Sequence, residues 1–236
     1  MSLKKKRIVV LTGAGISAES GLGTFRDKGG LWDEYDINEV ATPEAWEKNP
    51  HLVIEFYDIR RDLVVKAEPN AAHLALAKLE EYFDVQIITQ NIDDLHERAG
   101  SKNILHLHGE ILKARSINNA ENLIYIGGKK IKWGDVAPDG NQLRPHVVWF
   151  GEAVPKMYEA EDMVRGADIF MIIGTSLNVY PAANLIYASP QKTNKYIVDL
   201  NELTNVKYKN LNHIQGKASE KVPELIETLI QDSKIK

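Results

Sequence analysis

The chain contains no cysteine, which excludes disulfides and thiolate metal ligands and fits a reducing cytoplasm. Nor does positive charge prevail. Its 29 lysines and arginines face 33 aspartates and glutamates, a net charge of −4, and a nucleic-acid partner, which demands a basic face, is not expected. The run "KKKR" at residues 4–7 is the one basic cluster and reads as a solvated lead-in to the first strand. No apolar run approaches the roughly 18 residues of a membrane span. The stretch after "KKKR" is too short for a secretory signal, so neither a membrane partner nor export is expected. Repeats and low-complexity linkers are also missing. What remains is a 236-residue chain of ordinary globular composition, long enough to bury a full core and expected to be a monomer.

Several short apolar runs are continuous rather than alternating, as in strands buried on both faces of a parallel sheet. They are "RIVVLTGAG", "DVQIITQNID", "NILHLHG", "PHVVWFGE", "ADIFMIIGTS" and "KYIVDLN". Helical patterns lie between many of them. Asn70 is placed to cap one, and Pro181 and Pro223 to open two others. The alternation predicts an α/β fold, a Rossmann-like doubly wound parallel sheet. Two stretches break it. Residues 31–67 read as helices only, with Pro43 and Pro50 in first-turn positions. Residues 112–143 hold "NLIYIGGKKIKW", where two glycines join alternating segments in the manner of a hairpin, with Ile124, Ile126, Ile131 and Trp133 on one face. The expected division is a large domain of residues 1–30, 68–111 and 144–236, with 31–67 and 112–143 forming a small inserted lobe.

Small or polar residues gather at the predicted strand ends, where open α/β sheets bind ligands. "LTGAGISAES" carries G-x-G-x-x-A at Gly13, Gly15 and Ala18, small enough for backbone to approach a pyrophosphate. Gln90, Asn91 and Asp93 follow another strand; Asn91 and Asp93 suit a helix cap as well as a ligand contact. "HLHGE" puts His106 and His108 two apart, either of which could be a general base near neutral pH. "GTS" at 174–176 and "LNE" at 200–202 close two further strands.

"FYDIRR", residues 56–61, interrupts an amphipathic helix. Helical projection puts Leu52, Phe56, Ile59 and Leu63 in one core-facing stripe. Tyr57 and Arg60 are neighbours at its edge, while Asp58 and Arg61 point away and read as solvated.

Taken in order, "GAGISAESGLGTFRDKGGLW", "TQNIDDLHERAG", "HLHGE", "RPHVVWFGE", "IIGTS" and "VDLNE" resemble the motif series of the sirtuins, the NAD-dependent protein deacylases, and most of all the short bacterial ones. The resemblance covers nearly the whole chain. It implies that an acyl-lysine amide oxygen attacks the nicotinamide ribose, that nicotinamide leaves an alkylamidate, and that a histidine base leads to lysine and O-acyl-ADP-ribose. The histidine before glycine is the family's base, which selects His108 and leaves His106 structural. The same resemblance implies an NAD loop from Gly13 to Trp32 that includes Ala14, Ile16, Ser17, Glu19, Thr24, Phe25, Arg26 and Asp27. Phe25 and Arg26 would flank the nicotinamide ribose. Gln90, Asn91, Ile92 and Asp93 would line the nicotinamide pocket, with Gly174, Thr175 and Ser176 at the phosphates and ribose. Asn201, Glu202, Leu203 and Ala218 would meet the adenosine end. Val148, Phe150, Gly151 and Glu152 on one side, with Val179 and Tyr180 on the other, would hold the substrate backbone as an added strand.

In this helix Y-x-x-R marks sirtuins that remove succinyl and malonyl groups, so Tyr57 and Arg60 are expected to read an acidic acyl chain. Arginine offers a carboxylate a charge-assisted fork. The substrates expected are acylated lysine side chains of proteins. One departure stands out: most sirtuins bind zinc through four cysteines, and Ser116 occupies a position where the resembling bacterial proteins have one. No zinc is expected, and the apolar hairpin is expected to do the metal's structural job. Other classes that need the same glycine loop are a nicotinamide-dependent oxidoreductase, an NAD or ADP-ribose sensor, and an NAD hydrolase or ADP-ribosyltransferase.

Overall fold

The computed structural model describes residues 5–24, 35–201 and 208–234. Its strands are β1 (Arg7–Thr12), β2 (Asp84–Thr89), β3 (Ile104–His106), β4 (Gly109–Ser116), β5 (Leu123–Tyr125), β6 (Leu143–Val147), β7 (Ile169–Ile173), β8 (Asn194–Asp199) and β9 (Leu211–Gln215). Six form one sheet in the order β3-β2-β1-β7-β8-β9, every neighbouring pair parallel. Chain direction across the sheet reverses between β1 and β7, the switch point at which a doubly wound sheet opens a crevice.

The helices are α1 (Ala14–Ala18), α2 (Ile37–Val40), α3 (Pro43–Lys48), α4 (Pro50–Lys66), α5 (Ala71–Leu79), α6 (Leu95–Ala99), α7 (Met157–Arg165), α8 (Leu185–Ala188) and α9 (Ala218–Lys234). Strand periodicity explains the unbroken apolar runs. In β1, Ile8 and Val10 pack with α5 and α9 on one face, while Val9 and Leu11 pack with α7 and α8 on the other. Asn70 caps α5, accepting from the Ala72 N–H at 3.0 Å. Pro223 does not open a helix; it lies inside α9. The helix starts earlier because the Glu19 carboxylate accepts from the Ser219 N–H (2.9 Å), satisfying an end that would otherwise need its own cap.

A three-stranded antiparallel sheet, β5-β4-β6, forms a second, smaller module with α2, α3 and α4. Its pairing differs from the expected hairpin. Ile124 pairs with Ala114 of β4, and no strand forms over residues 129–133. Ile131 is buried, whereas Trp133 is half-exposed and packs tilted between His51 and Trp46, with ring centres 5.2 and 6.3 Å away. Trp46 continues the row to Trp149 at 5.6 Å.

The apolar stripe of α4 is also rotated from its expected position. Val53, Phe56, Tyr57 and Val64 are buried, and Leu63 is exposed. Asp58 and Arg61 are not solvated, and Arg61 is only 1% exposed. The Arg61 guanidinium pairs with Asp58 and donates to the carbonyls of Ile111 (2.9 Å) and Lys129 (3.4 Å), and Asp58 accepts from the Ile131 N–H at 3.3 Å. An arginine can be buried when its charge is paired and most of its fork has acceptors. Here Nε and Nη1 have them, and Nη2 has no hydrogen-bond partner among the described residues. The fork ties α4 to β4 and to the segment that the hairpin was expected to organise. Ser116, fully buried, accepts from the Asn118 N–H (3.2 Å) and bonds the Asp139 side chain. With no thiolate in the chain, a four-cysteine zinc site cannot form.

Removing one member of a buried pair strands the other. Asp58→Ala is therefore expected to cost about 3–5 kcal/mol in urea unfolding. The Asp58→Ala/Arg61→Met double variant should lose less than the sum of the single losses; strict additivity would mean the pair does not staple the module.

Candidate active site

The floor of the crevice is backbone against backbone. The Gly13 N–H donates to Ile173 O (3.0 Å) and the Gly15 N–H to Gly174 O (2.9 Å). A Cβ on Gly15 would meet Gly174 Cα at 2.7 Å, and one on Gly174, whose φ is +63°, would meet the Ile16 amide at 2.3 Å. Only glycine permits this approach. It sets the turn and Ala14–Ala18 directly beside Thr175, which is buried, and Ser176.

The loop after β2 closes the next side. Asn91 donates from Nδ2 to Gly13 O (3.2 Å) and to Ser17 Oγ (3.1 Å), while Ser17 donates to Asp93 Oδ2 at 3.0 Å. Asp93 also accepts from the Leu95 N–H (3.2 Å). Asp93 thus holds the first N–H of α6, although the N-cap residue of that helix is Asp94. Burial pushes the Asp93 carboxyl up, opposed by those hydrogen bonds and by Arg60. Ile92 joins the loop to β4 through its carbonyl, which accepts from the Ile111 N–H at 2.8 Å.

The two histidines of "HLHGE" hang on successive carbonyls of that loop. His108 Nδ1 lies 2.9 Å from Gln90 O, and His106 Nδ1 lies 3.2 Å from Asn91 O. A carbonyl can only accept, so each Nδ1 carries the proton, and His108 Nε2 is left with its lone pair. Burial lowers the His108 pKa below its ordinary 6.5, against the opposing effect of the Gln90 carbonyl. His106 differs: burial opposes its charge, but Glu97 at 2.7 Å, Glu110 and the Asn91 carbonyl raise its pKa. Gly109 has φ +84°, and a Cβ there would lie 2.2 Å from His146 O, so the residue after His108 must be glycine.

From α4, Tyr57 and Arg60 face the same region. Burial pushes the Tyr57 hydroxyl pKa up, against the pull of Arg144 and Arg60. Burial lowers the Arg60 pKa, and the nearby charges of Asp93 and Tyr57 offset part of that effect. Opposite them runs the segment Val148–Glu152. Sequence reasoning missed its organiser, Arg144, which stands eight residues before Glu152. Arg144 makes a bidentate pair with Glu152 (2.8 and 3.1 Å) and lies over the Trp149 ring. The Glu152 carboxylate also accepts from the Trp149 N–H at 2.7 Å, so its charge is used to shape the loop. Within it, the Val148 and Phe150 N–H groups donate inward to His108 O and Ala41 O, both at 2.9 Å. Val179 and Tyr180 are exposed.

Three further expected cofactor residues make structural contacts of their own. The Glu19 carboxylate caps α9, which Ala218 begins, and Asn201 folds back on Asp199, its N–H 2.9 Å from Oδ1. Thr24 ends the first described stretch; Phe25, Arg26, Asp27, Trp32, Glu202 and Leu203 lie outside the described residues.

Comparison with known proteins agrees with this geometry. The chain is 51% identical over 230 residues to an NAD-dependent protein deacylase of Bacteroides thetaiotaomicron, covering 95% of this chain and 98% of that one. Among solved structures, a mutant Sir2 homologue in complex with ADP-ribose superposes with a TM-score of 0.89 at 39% identity, covering 98% of this chain and 95% of the other. A Sir2 homologue–NAD complex gives 0.87 at 38%, covering 97% and 91%. The model of the Sir2 family matches residues 13–181, and the chain belongs to that family.

Proposed function

We propose that this chain is an NAD-dependent protein-lysine deacylase acting on acetyl-lysine and on succinyl- or malonyl-lysine. The observation that carries the reading is His108, whose Nδ1 proton is fixed on Gln90 O and whose Nε2 is free to accept a proton beside the glycine crevice. The crevice fits a dinucleotide because glycine at 13, 15 and 174 lets the β1 turn close on the end of β7 and leaves main chain at the floor. NAD supplies the ADP-ribosyl group that receives the acyl chain as nicotinamide departs. Gly13, Gly15, Thr175 and Ser176 hold its phosphates and ribose, and Ala14, Ile16 and Ala18 keep that wall close. Asn91 and Asp93, locked together through Ser17, orient the carboxamide. His108 Nε2 takes the ribose hydroxyl proton. Tyr57 and Arg60 face a carboxylate at the far end of the acyl chain, where a guanidinium in a dry site binds strongly. Val148–Gly151 and Val179–Tyr180 hold the peptide backbone.

Among the described residues no helix is long and apolar enough to cross a membrane. A monomer belongs to the same reading, as does a reducing cytoplasm, the latter supported by the lack of cysteine.

Incubation with NAD and a panel of acyl-lysine peptides should yield O-acyl-ADP-ribose by mass spectrometry. Nicotinamide release that needs no peptide would instead indicate an NAD hydrolase. His108→Ala should lower turnover by about 10²–10⁴-fold with NAD binding retained. Because burial lowers the pKa of this base, the acid limb of the wild-type rate profile should fall below pH 6.5; substantial residual activity that vanishes on further changing His106 would reassign the base. Asp93→Asn should weaken NAD use and nicotinamide inhibition together, since both need the same carboxamide contact; a change in only one rejects that pocket assignment. Arg60→Met should raise KM for succinyl-peptide roughly ten- to a hundredfold and leave acetyl-peptide nearly unchanged. Equal losses on both would mean that Arg60 supports the fold.

A further inference from the structure

Behind the loop that carries Asn91 and Asp93 is a cavity of about 190 Å³, lined in part by Asp94, Glu97, His106, Glu110 and Lys113. Glu97, His106 and Glu110 come from three elements, α6, β3 and β4. Each offers one ligand atom, and those atoms all lie within 4.8 Å of one another. We propose that Glu97, His106 and Glu110 form a binding site for a divalent transition-metal cation, Zn²⁺ or Mn²⁺.

The buried imidazole sets this group apart from an ordinary acidic patch. In the ion-free protein His106 Nε2–H donates to Glu97 Oε1 at 2.7 Å, a proton that an incoming cation would displace, and Nδ1–H donates to Asn91 O at 3.2 Å. A histidine that holds a metal uses its other ring nitrogen in this way, donating to a backbone carbonyl that fixes the tautomer. One imidazole nitrogen and two carboxylates are a mixed donor set suited to zinc or manganese, with water completing the shell. Glu97 is 41% exposed on its side chain, which gives an ion a path in from solvent and lets that ligand close upon it. Without an ion, Lys113 neutralises Glu110 at 2.8 Å, so the ammonium and the cation compete for the same carboxylate. The site is unrelated to a four-cysteine zinc site: it contains no thiolate and touches the large sheet. Its effect would pass through the Asn91 carbonyl, next to the Gln90 carbonyl that holds His108.

The test is calorimetric titration of the untagged, metal-stripped protein with ZnCl₂ and with MnCl₂. One ion per chain is expected for at least one salt. Glu97→Gln and Glu110→Gln should each weaken its binding on the order of tenfold or more, with unchanged circular dichroism. Lys113→Met should tighten it, an opposite change that a merely damaged fold cannot produce. Hydrogen exchange at Asn91–Asp93 should slow when the ion binds. No binding of either ion at millimolar concentration overturns the proposal. So does an affinity indifferent to both glutamine variants, which would place the ion elsewhere.

Discussion

The arrangement of the site depends on the contact between the β1 turn and the end of β7. Gly13 and Gly15 rest on Ile173 and Gly174 through two backbone hydrogen bonds, with no room for a Cβ at Gly15 or Gly174. This contact holds the switch point of the sheet open as a crevice rather than filling it with side chains. It also fixes Ser17, to which Asn91 and Asp93 attach. The Asn91 and Gln90 carbonyls then hold the two histidines. The positions of the candidate base and the candidate nicotinamide contacts are therefore consequences of one close approach between main chains.

Helix α4 performs two tasks with one short run of residues. Tyr57 and Arg60 look toward Asp93 and the crevice, while Asp58 and Arg61 anchor the helix to β4 and to Lys129–Ile131. Four polar or charged positions within five residues are tolerated inside a protein only because each has a partner. Where cysteines and zinc hold this region in most sirtuins, this chain has a buried ion pair, the Ser116 hydroxyl and a row of tilted aromatic rings. The ion pair supplies directional bonds to backbone that an apolar patch alone cannot provide.

Charge is likewise used to shape loops. Arg144 and Glu152 hold the segment after β6 by a bidentate pair, with Trp149 beneath the guanidinium. The geometry makes this fork specific in a way that a lysine could not reproduce.

The sequence by itself determined the parallel sheet, most of its strands and the strand-end position of the small and polar residues. Each is a local pattern: continuous apolar runs, proline at helix starts, glycine after a strand. Apolar continuity also placed "PHVVWFGE" in that sheet, whereas β6 pairs antiparallel with β4, and it left β9 unread. The motif series also singled out His108, though spacing alone left it equal to His106. Tertiary structure decided what depends on partners distant in the chain. Helical projection assigned Asp58 and Arg61 to solvent because periodicity cannot know that two carbonyls, 50 and 68 residues away from Arg61, would accept its protons. The two-glycine turn promised a hairpin, but Ile124 found its pairing partner in β4, where a longer strand offered more hydrogen bonds. Glu19 belongs to the glycine-loop motif, and its carboxylate also caps a helix 200 residues later. Local propensity is written in neighbours along the chain. The satisfaction of buried charge and backbone is settled only when the whole chain has packed.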